Sequence, residues 1–451
     1  MRRNKKVRYL VLASFCFYLI ALANDSASMF VLCWALLSLV GVAWVLSRLA
    51  VSGLGVERGR VPRRTFAGDP LPTALQVVNR GGLPKSNILL RDPWRNETLN
   101  LEAAPTYLIQ WLESNQKVPV PESGVAPYRG RYRLGPVQAV ASDPWGIFEV
   151  HRSLGEEQAV LVYPRPVELP RFFLRRPQGV ESDHPLARRP LEAGLDFHGV
   201  REYQPGDDLR RVHWKAVAHT GRLFIREFEK NWPIWATVVL DLHRERQFGQ
   251  AVESTVECGV GVAASVCRRL LQQGYRLRFL ACDGALIDRR AEAGEAELFP
   301  ILEFLAGATG RGRVPAERLL ASHLASLPAA SCLILITAST APELAEMLAS
   351  LGRRGLQVLV IALVPHSFLP ASAGQQPGAG GGPGGHKGWW LRKFARRLRG
   401  FRAPEGSVSP PSPSSEELRA AYRDFVDHLR AAGVTVCPLH RGDDPAVCLQ
   451  V

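Results

Sequence analysis

No two of the eight cysteines (Cys16, Cys33, Cys258, Cys267, Cys282, Cys332, Cys437 and Cys448) form a C-x-x-C pair, so the usual signature of structural zinc or thioredoxin-type chemistry is missing. Two of them lie in apolar N-terminal runs and most of the rest in strand-like or helix-like stretches, which reads as small buried hydrophobes in a reducing compartment. The chain also lacks a G-x-x-x-x-G-K-[ST] loop, a G-x-S-x-G elbow, an H-E-x-x-H helix and a Rossmann fingerprint after a strand. These absences lower the expectation of an enzyme. Wholesale disorder is excluded, because 46% of the 451 residues are hydrophobic and 22% charged. That length leaves room for two to four domains at roughly 150 residues each.

Charge is plentiful but local. The formal charge is +14, yet five basic residues (Arg2, Arg3, Lys5, Lys6, Arg8) open the chain and seven more (Lys387, Arg392, Lys393, Arg396, Arg397, Arg399, Arg402) share one short segment. Setting those twelve aside takes the formal charge from +14 to +2. A nearly neutral bulk with two basic patches beside apolar sequence suits anionic lipid rather than duplex DNA, and no nucleic-acid partner is expected.

Val7 to Ala23 is apolar apart from Arg8 at its start, Ser14 and two tyrosines, and as a helix it would span about 26 Å. Asn24-Asp25-Ser26 makes a polar turn, and Ala27 to Leu46 is a second uncharged run with Trp34 and Trp44 near its ends. The pair reads as a transmembrane helical hairpin over residues 1–48. A cleaved signal peptide is the alternative for the first run, but the turn lacks a small-x-small site and a second span follows at once. Positive flanks, Arg2 to Arg8 before the first span and Arg48, Arg58, Arg60, Arg63 and Arg64 after the second, put both chain ends on the cytoplasmic side of a plasma membrane.

Residues 56–165 carry turn signals and short alternating runs (Ala74 to Asn79, Asn87 to Arg91, Tyr107 to Trp111, Gly130 to Leu134), the pattern of a small β-sandwich. Asn96-Glu97-Thr98 is formally a glycosylation sequon, without meaning in a cytoplasmic segment. Residues 233–451 switch to alternating strands and helices, with strands at Ile234 to Leu240, Arg276 to Cys282, Cys332 to Thr337, Leu356 to Val364 and Val434 to Leu439. Helices fall at Glu253 to Gln273, Pro342 to Arg353 and Ser415 to Ala432. Such alternation predicts an α/β domain with a parallel sheet covered by helices, interrupted by an insertion at 371–414 that is Gly-rich at one end and Pro/Ser-rich at the other.

The connector, 166–232, holds the densest information. It contains Asp196, then Arg201-Glu202-Tyr203-Gln204-Pro205-Gly206-Asp207-Asp208-Leu209-Arg210-Arg211-Val212-His213-Trp214-Lys215. Pro205-Gly206 predicts a turn, Asp207 a helix cap, and Leu209, Val212, His213, Ala216 and Val217 one helical face ending at Gly221. Leu223 to Phe228 alternates like a strand. The charged residues allow a general acid/base site with Asp207 or Asp208 beside His213, or an ion-pair network clamping the connector onto its neighbour. With no nucleophile, metal spacing or phosphate loop alongside, the clamp is the preferred reading.

The run from Gly194 through Arg226-Glu227-Phe228-Glu229 resembles the signature of the family called domain of unknown function 58. Arg129-Gly130-Arg131-Tyr132 and Asp143-Pro144-Trp145-Gly146-Ile147-Phe148 match its upstream pattern. The resemblance implies a doubly wound, von Willebrand factor A-like α/β domain in a membrane-anchored protein. It also implies as partners a MoxR-type AAA+ ATPase and a transglutaminase-like membrane protein. It implies no reaction and no cofactor.

Metal-binding A-like domains place D-x-S-x-S after the first strand. Here that position reads Asp241-Leu242-His243-Arg244-Glu245, and Thr337-Ala338-Ser339-Thr340 lacks the second acid. Asp241 with Thr309 makes a poor Mg²⁺ site, so no metal is expected. Inside the insertion, Trp389, Trp390, Arg392, Lys393, Phe394, Arg396 and Arg397 belong to a segment in which Trp390, Leu391, Phe394, Leu398 and Phe401 share one helical face and the arginines take the flanks and back. That composition predicts a helix lying on the membrane surface. The expected function is therefore a non-catalytic membrane-anchored adaptor. The runner-up is a hydrolase or transferase using Asp196, Asp207, Asp208 and His213.

Overall fold

The computed structural model describes residues 5–24, 26–72, 74–120, 124–174, 197–204, 212–228, 235–327, 331–369 and 414–450. Two antiparallel helices, Lys5–Asn24 and Ala27–Val51, open the chain, and both are long and apolar enough to cross a membrane. They touch through small residues, with Ser14, Ala21, Cys33, Ala43 and Ser47 buried. The Ser14 hydroxyl donates to the Cys33 carbonyl at 3.1 Å. Small side chains let two apolar helices approach when no water drives them together. Large ones such as Leu12, Phe15, Val31 and Trp34 face outward.

The second helix runs five residues beyond its uncharged stretch and ends against a β unit. Lys85 Nζ donates to the Leu49 carbonyl at 2.8 Å and Arg152 Nη1 to the Val51 carbonyl at 2.9 Å. Two cations thus bind carbonyls of the last helical turn, where they also face the negative end of the helix dipole.

In the β unit, a three-stranded sheet (Leu54–Arg58, Leu75–Asn79, Lys117–Val120) faces a four-stranded one (Glu149–Leu154, Val137–Ser142, Lys85–Arg91, Thr106–Leu112). Leu54, Val77, Ile88, Leu90, Leu112 and Ala139 fill the space between them. A five-stranded sheet (Arg64–Phe66, Gln158–Tyr163, Gly130–Leu134, Trp94–Asn96, Leu101–Ala103) closes over Leu71, Trp94, Tyr132, Leu134 and Val162. The Asn96 amide that completes the formal sequon is buried and donates to the Arg129 carbonyl at 2.9 Å, so it is part of the packing.

The α/β unit contains six strands in the order Ala285–Ala291, Arg276–Asp283, Trp235–Leu240, Cys332–Thr337, Gln357–Leu363, Thr435–Leu439. All neighbours are parallel except the first pair. Side chains alternate between two cores. Val238, Phe279, Ile334 and Ile361 meet helices Thr255–Gln272 and Phe299–Gly307, whereas Val239, Leu280, Leu335 and Val360 meet Ala316–His323, Pro342–Arg353 and Ser415–Ala431. Strands buried on both faces explain the continuous apolar runs in the sequence. The helix Ser415–Ala431 starts with a capping box between Ser414 and Glu417. Strand Ala285–Ala291, mostly exposed, and helices Phe299–Gly307 and Ala316–His323 lack a counterpart in the sequence reading.

The chain leaving the β unit is strapped to helix Thr255–Gln272. Val167 N donates to Ser265 Oγ at 2.9 Å, and Gln273 Nε2 donates to the Phe172 carbonyl at 2.7 Å. Leu169, Phe172 and Leu174 join the core of the α/β unit.

Candidate functional site

The signature residues form a small module of their own. Strands Phe197–Glu202 and Phe224–Phe228 pair antiparallel, with Val200 opposite Arg226 and Glu202 opposite Phe224. A seven-residue helix, Trp214–Thr220, precedes the second strand. The sequence pattern predicted a helical stripe from Leu209 capped by Asp207. Instead, Val212 is extended and bridges Ile225, and His213 caps the helix, its Nδ1 accepting from Ala216 N at 3.0 Å. The reason is tertiary: Val212 and Ile225 bury each other, which spends on a strand pair the apolar residue that the stripe assigned to the helix. Gly221, at φ 69°, ends the helix in the left-handed conformation that glycine adopts without strain.

Glu202 and Arg222 pair at 3.1 Å on the module's exposed surface. Tyr203 N donates to the Leu223 carbonyl at 2.9 Å. Helix Trp214–Thr220 has no buried residue, and Trp214 is 66% exposed, with Lys215 beside it and Val200 and Leu223 also exposed. Arg201 is placed within the first strand. Asp196, Pro205, Gly206, Asp207, Asp208 and Arg210 lie outside the described residues, as do Trp389, Trp390, Arg392, Lys393, Phe394, Arg396 and Arg397 of the insertion.

Among the described residues, a buried ion pair outside the signature segment joins the β unit to the α/β unit. Arg129, at the start of the upstream motif, is 3% exposed and crosses from the β unit into the α/β unit. Its Nε donates to Glu257 Oε2 at 3.1 Å, Nη2 pairs with Glu257 Oε1 and donates to the Ala308 carbonyl at 2.8 Å, and Nη1 donates to the Leu305 carbonyl. Those carbonyls end helix Phe299–Gly307, where a guanidinium fork can satisfy several acceptors at once. Gly130 follows at φ 139°, and a Cβ there would come within 2.4 Å of the Asn96 side chain, so only glycine lets the strand pass. The role of this motif is not legible in the sequence, because its contacts are more than a hundred residues away in the chain.

The carboxyl end of the parallel sheet holds the position tested for metal. Strand order reverses between Trp235–Leu240 and Cys332–Thr337, the place where open α/β sheets bind ligands. Asp241 stands there, buried, with Oδ2 accepting from Thr337 Oγ1 at 2.7 Å and Oδ1 from His243 N at 3.1 Å. Burial pushes its carboxyl above the usual range against both of these hydrogen bonds. Thr309 does not complete a site with it: Thr309 N and Oγ1 both donate to Asp283. Arg246 is bound to Glu317 through two bonds of 2.6 and 2.7 Å. Among the described residues there is no cluster of three His, Cys, Asp or Glu able to hold a metal ion.

The cysteines are all free thiols. Burial pushes Cys258 up to about 12 and Cys332 and Cys448 up to about 11, far from the thiolate range that nucleophilic chemistry needs.

The family model that matches, over residues 199–368, is described as "Protein of unknown function DUF58". The resemblance expected from the signature is therefore shown for that segment. "Uncharacterized protein YeaD" of Bacillus subtilis is 24% identical over 247 residues, covering 53% of this chain and 59% of the relative. "Uncharacterized protein Rv1480" of Mycobacterium tuberculosis is 32% identical over 89 residues, 20% of this chain and 28% of the relative. The chain thus spans less than two thirds of the length of these relatives. Among solved structures, the conserved hypothetical protein BatB from Bacteroides thetaiotaomicron aligns with a TM-score of 0.29 at 10% identity, covering 48% of this chain and 93% of that one. An aerotolerance-related membrane protein from Bacteroides fragilis aligns at 0.28 and 11% identity, covering 48% and 95%. Scores this low carry no fold assignment.

Proposed function

We propose that this protein is a non-catalytic, membrane-anchored adaptor that presents the signature module to a protein partner. The observation that carries the reading is the exposure of Trp214 on a helix with no buried residue, in a module that also leaves Val200, Leu223 and Lys215 exposed. A large aromatic left in water on a small module is a frequent anchor of a protein interface. His213, the strongest acid/base candidate of the sequence, spends Nδ1 on capping that helix, which favours a structural role over catalysis.

The remaining parts follow from the same reading. The two apolar helices form a hairpin spanning the bacterial inner membrane, and the positive flanks keep the β-sandwich and the α/β unit cytoplasmic. The α/β unit is von Willebrand factor A-like. Its strand order and the Asp at the end of the first strand support that assignment. The partner is a MoxR-type AAA+ ATPase, and a transglutaminase-like membrane protein is a further one; both come from the family resemblance.

The test is a pull-down of the tagged full-length protein from detergent-solubilised membranes beside a Trp214→Ala variant. Recovery of an AAA+ ATPase by the natural protein, lost in a variant with an unchanged melting temperature, supports the adaptor. Equal recovery by both would move the contact off the module, and recovery of no ATPase by either would refute the partner.

A further inference from the structure

The second upstream motif, Asp143 to Phe148, takes no part in the adaptor surface, yet its geometry is tightly set. Asp143 Oδ1 accepts from Phe148 N at 2.6 Å and Oδ2 from Trp145 N at 3.0 Å, and Gly146 N donates back to the Asp143 carbonyl at 3.0 Å. Gly146 takes φ 63°. Ile147 and Phe148, both buried, pack on the two apolar helices among Val7, Leu10, Leu39, Val40 and Ala43. Lys6 Nζ donates to the Gly146 carbonyl at 3.1 Å. The turn thus packs Ile147 and Phe148 against the helical hairpin at the depth of Leu39 to Ala43 and leaves Trp145, two residues before Ile147, 50% exposed.

That depth is informative. Along the second helix, Val42, Trp44 and Val45 are still exposed at and past this point, and the Arg48 guanidinium lies 4.6 Å over the Trp44 ring. A helix rises 1.5 Å per residue, so a hydrocarbon layer of about 30 Å starting at Ala27 ends near Leu46, beyond the contact with the turn. We infer that the Asp143–Phe148 turn carries Trp145 into the interfacial layer of an anionic bilayer, making the β unit a partly inserted foot rather than a domain hung on a tether. Trp145 and Trp44 supply the amphipathic rings that favour this layer, and Lys6, Arg8 and Arg48 supply positive charge for lipid phosphates. The inference rests on the proposed membrane span of the hairpin.

The experiment uses the full-length chain in lipid nanodiscs containing phosphatidylglycerol, as natural protein and as Trp145→Phe, which keeps an apolar ring at an exposed position. The difference in tryptophan emission between the two is the signal of Trp145. It is expected to be blue-shifted, quenched by lipids brominated close to the headgroup more than by lipids brominated near the acyl end, and little affected by aqueous iodide. A difference signal quenched by iodide and untouched by brominated lipid overturns the inference, as does one quenched by neither, which would mean a protein cover. Extraction of the protein from native membranes by alkaline carbonate would instead overturn the membrane span itself, so the two failures are distinct.

Discussion

Arg129 reaches out of the β unit and lays its guanidinium fork along both carboxylate oxygens of Glu257, in the first turn of the helix that covers the parallel sheet. The carboxyl is pushed up by burial and held down by that guanidinium, with burial the larger effect. The pair therefore joins two folding units at a point from which water is excluded. A buried pair of this kind contributes less by its attraction than its loss would cost, since either half alone is an unpaired buried charge.

Arg129→Ala takes the guanidinium away from Glu257 and from the carbonyls of Leu305, Ala306 and Ala308. The expected loss is about 3–5 kcal/mol, the range for breaking a buried ion pair. Arg129→Lys should fare little better, because an ammonium cannot span both oxygens and the carbonyls together. Thermal unfolding of the solubilised protein checks this. The variant should melt lower and in two steps, with the α/β unit parting from the β unit; one unshifted transition would show that the strap at residues 167–174 alone holds the units together.

Asp241 predicts a pH dependence. Its carboxyl is raised by burial, so the folded state holds that proton more tightly than the unfolded chain does. Its contribution to stability is present in acid and is lost as pH rises through the raised value. Asp241→Asn removes the titration while keeping an acceptor for His243 N. The Asn variant should match the natural protein in mild acid and exceed it near neutral pH, as read by melting temperature across that range. A variant less stable at every pH would mean that the ionised form is needed.

Lys85 is 2% exposed, and its pKa is lowered by burial first and by the charge of Arg152 second. Lys85→Met should cost about 0.5–1.5 kcal/mol, the net worth of one hydrogen bond, because the Leu49 carbonyl keeps Ser52 N and Ser52 Oγ as donors. The loss should appear locally, as faster proteolysis at Ser52-Gly53. That link is narrow: Gly53 sits at φ 68°, and a Cβ there would lie 2.8 Å from Gly81 N. Unchanged cleavage would show Arg152 to be sufficient.

His213 distinguishes cap from catalyst. His213→Ala should destabilise the module by about 1 kcal/mol, a typical cap loss, and His213→Asn should restore most of it because Asn caps well. Binding of the partner by His213→Asn at the natural level fits a structural role. Loss of binding or of a cellular phenotype with the fold intact would assign His213 a direct one.

Much of the architecture is legible locally. The apolar runs of the two N-terminal helices, the strand runs Cys332–Thr337 and Gln357–Leu363, and the amphipathic helix Pro342–Arg353 each carry their pattern within a dozen or so residues. The edge strand Ala285–Ala291 does not, since an exposed strand has no apolar period to announce it. Leu209 to Val217 misled for the opposite reason: the period was helical, but Val212 was claimed by Ile225 across a turn.

The candidate site divides along the same line. Residue type and order alone determined that the chain carries two apolar runs, an alternating α/β segment and the Asp241 loop without its serines, because these are properties of neighbouring residues. Only the tertiary structure decided that Arg129 joins the β unit to the α/β unit, that Asp143 builds a turn against the helical hairpin, and that Thr309 belongs to Asp283 rather than to Asp241. Each of these depends on which distant backbone arrives beside a charged or hydrogen-bonding group, and burial then turns that meeting into an obligatory partnership.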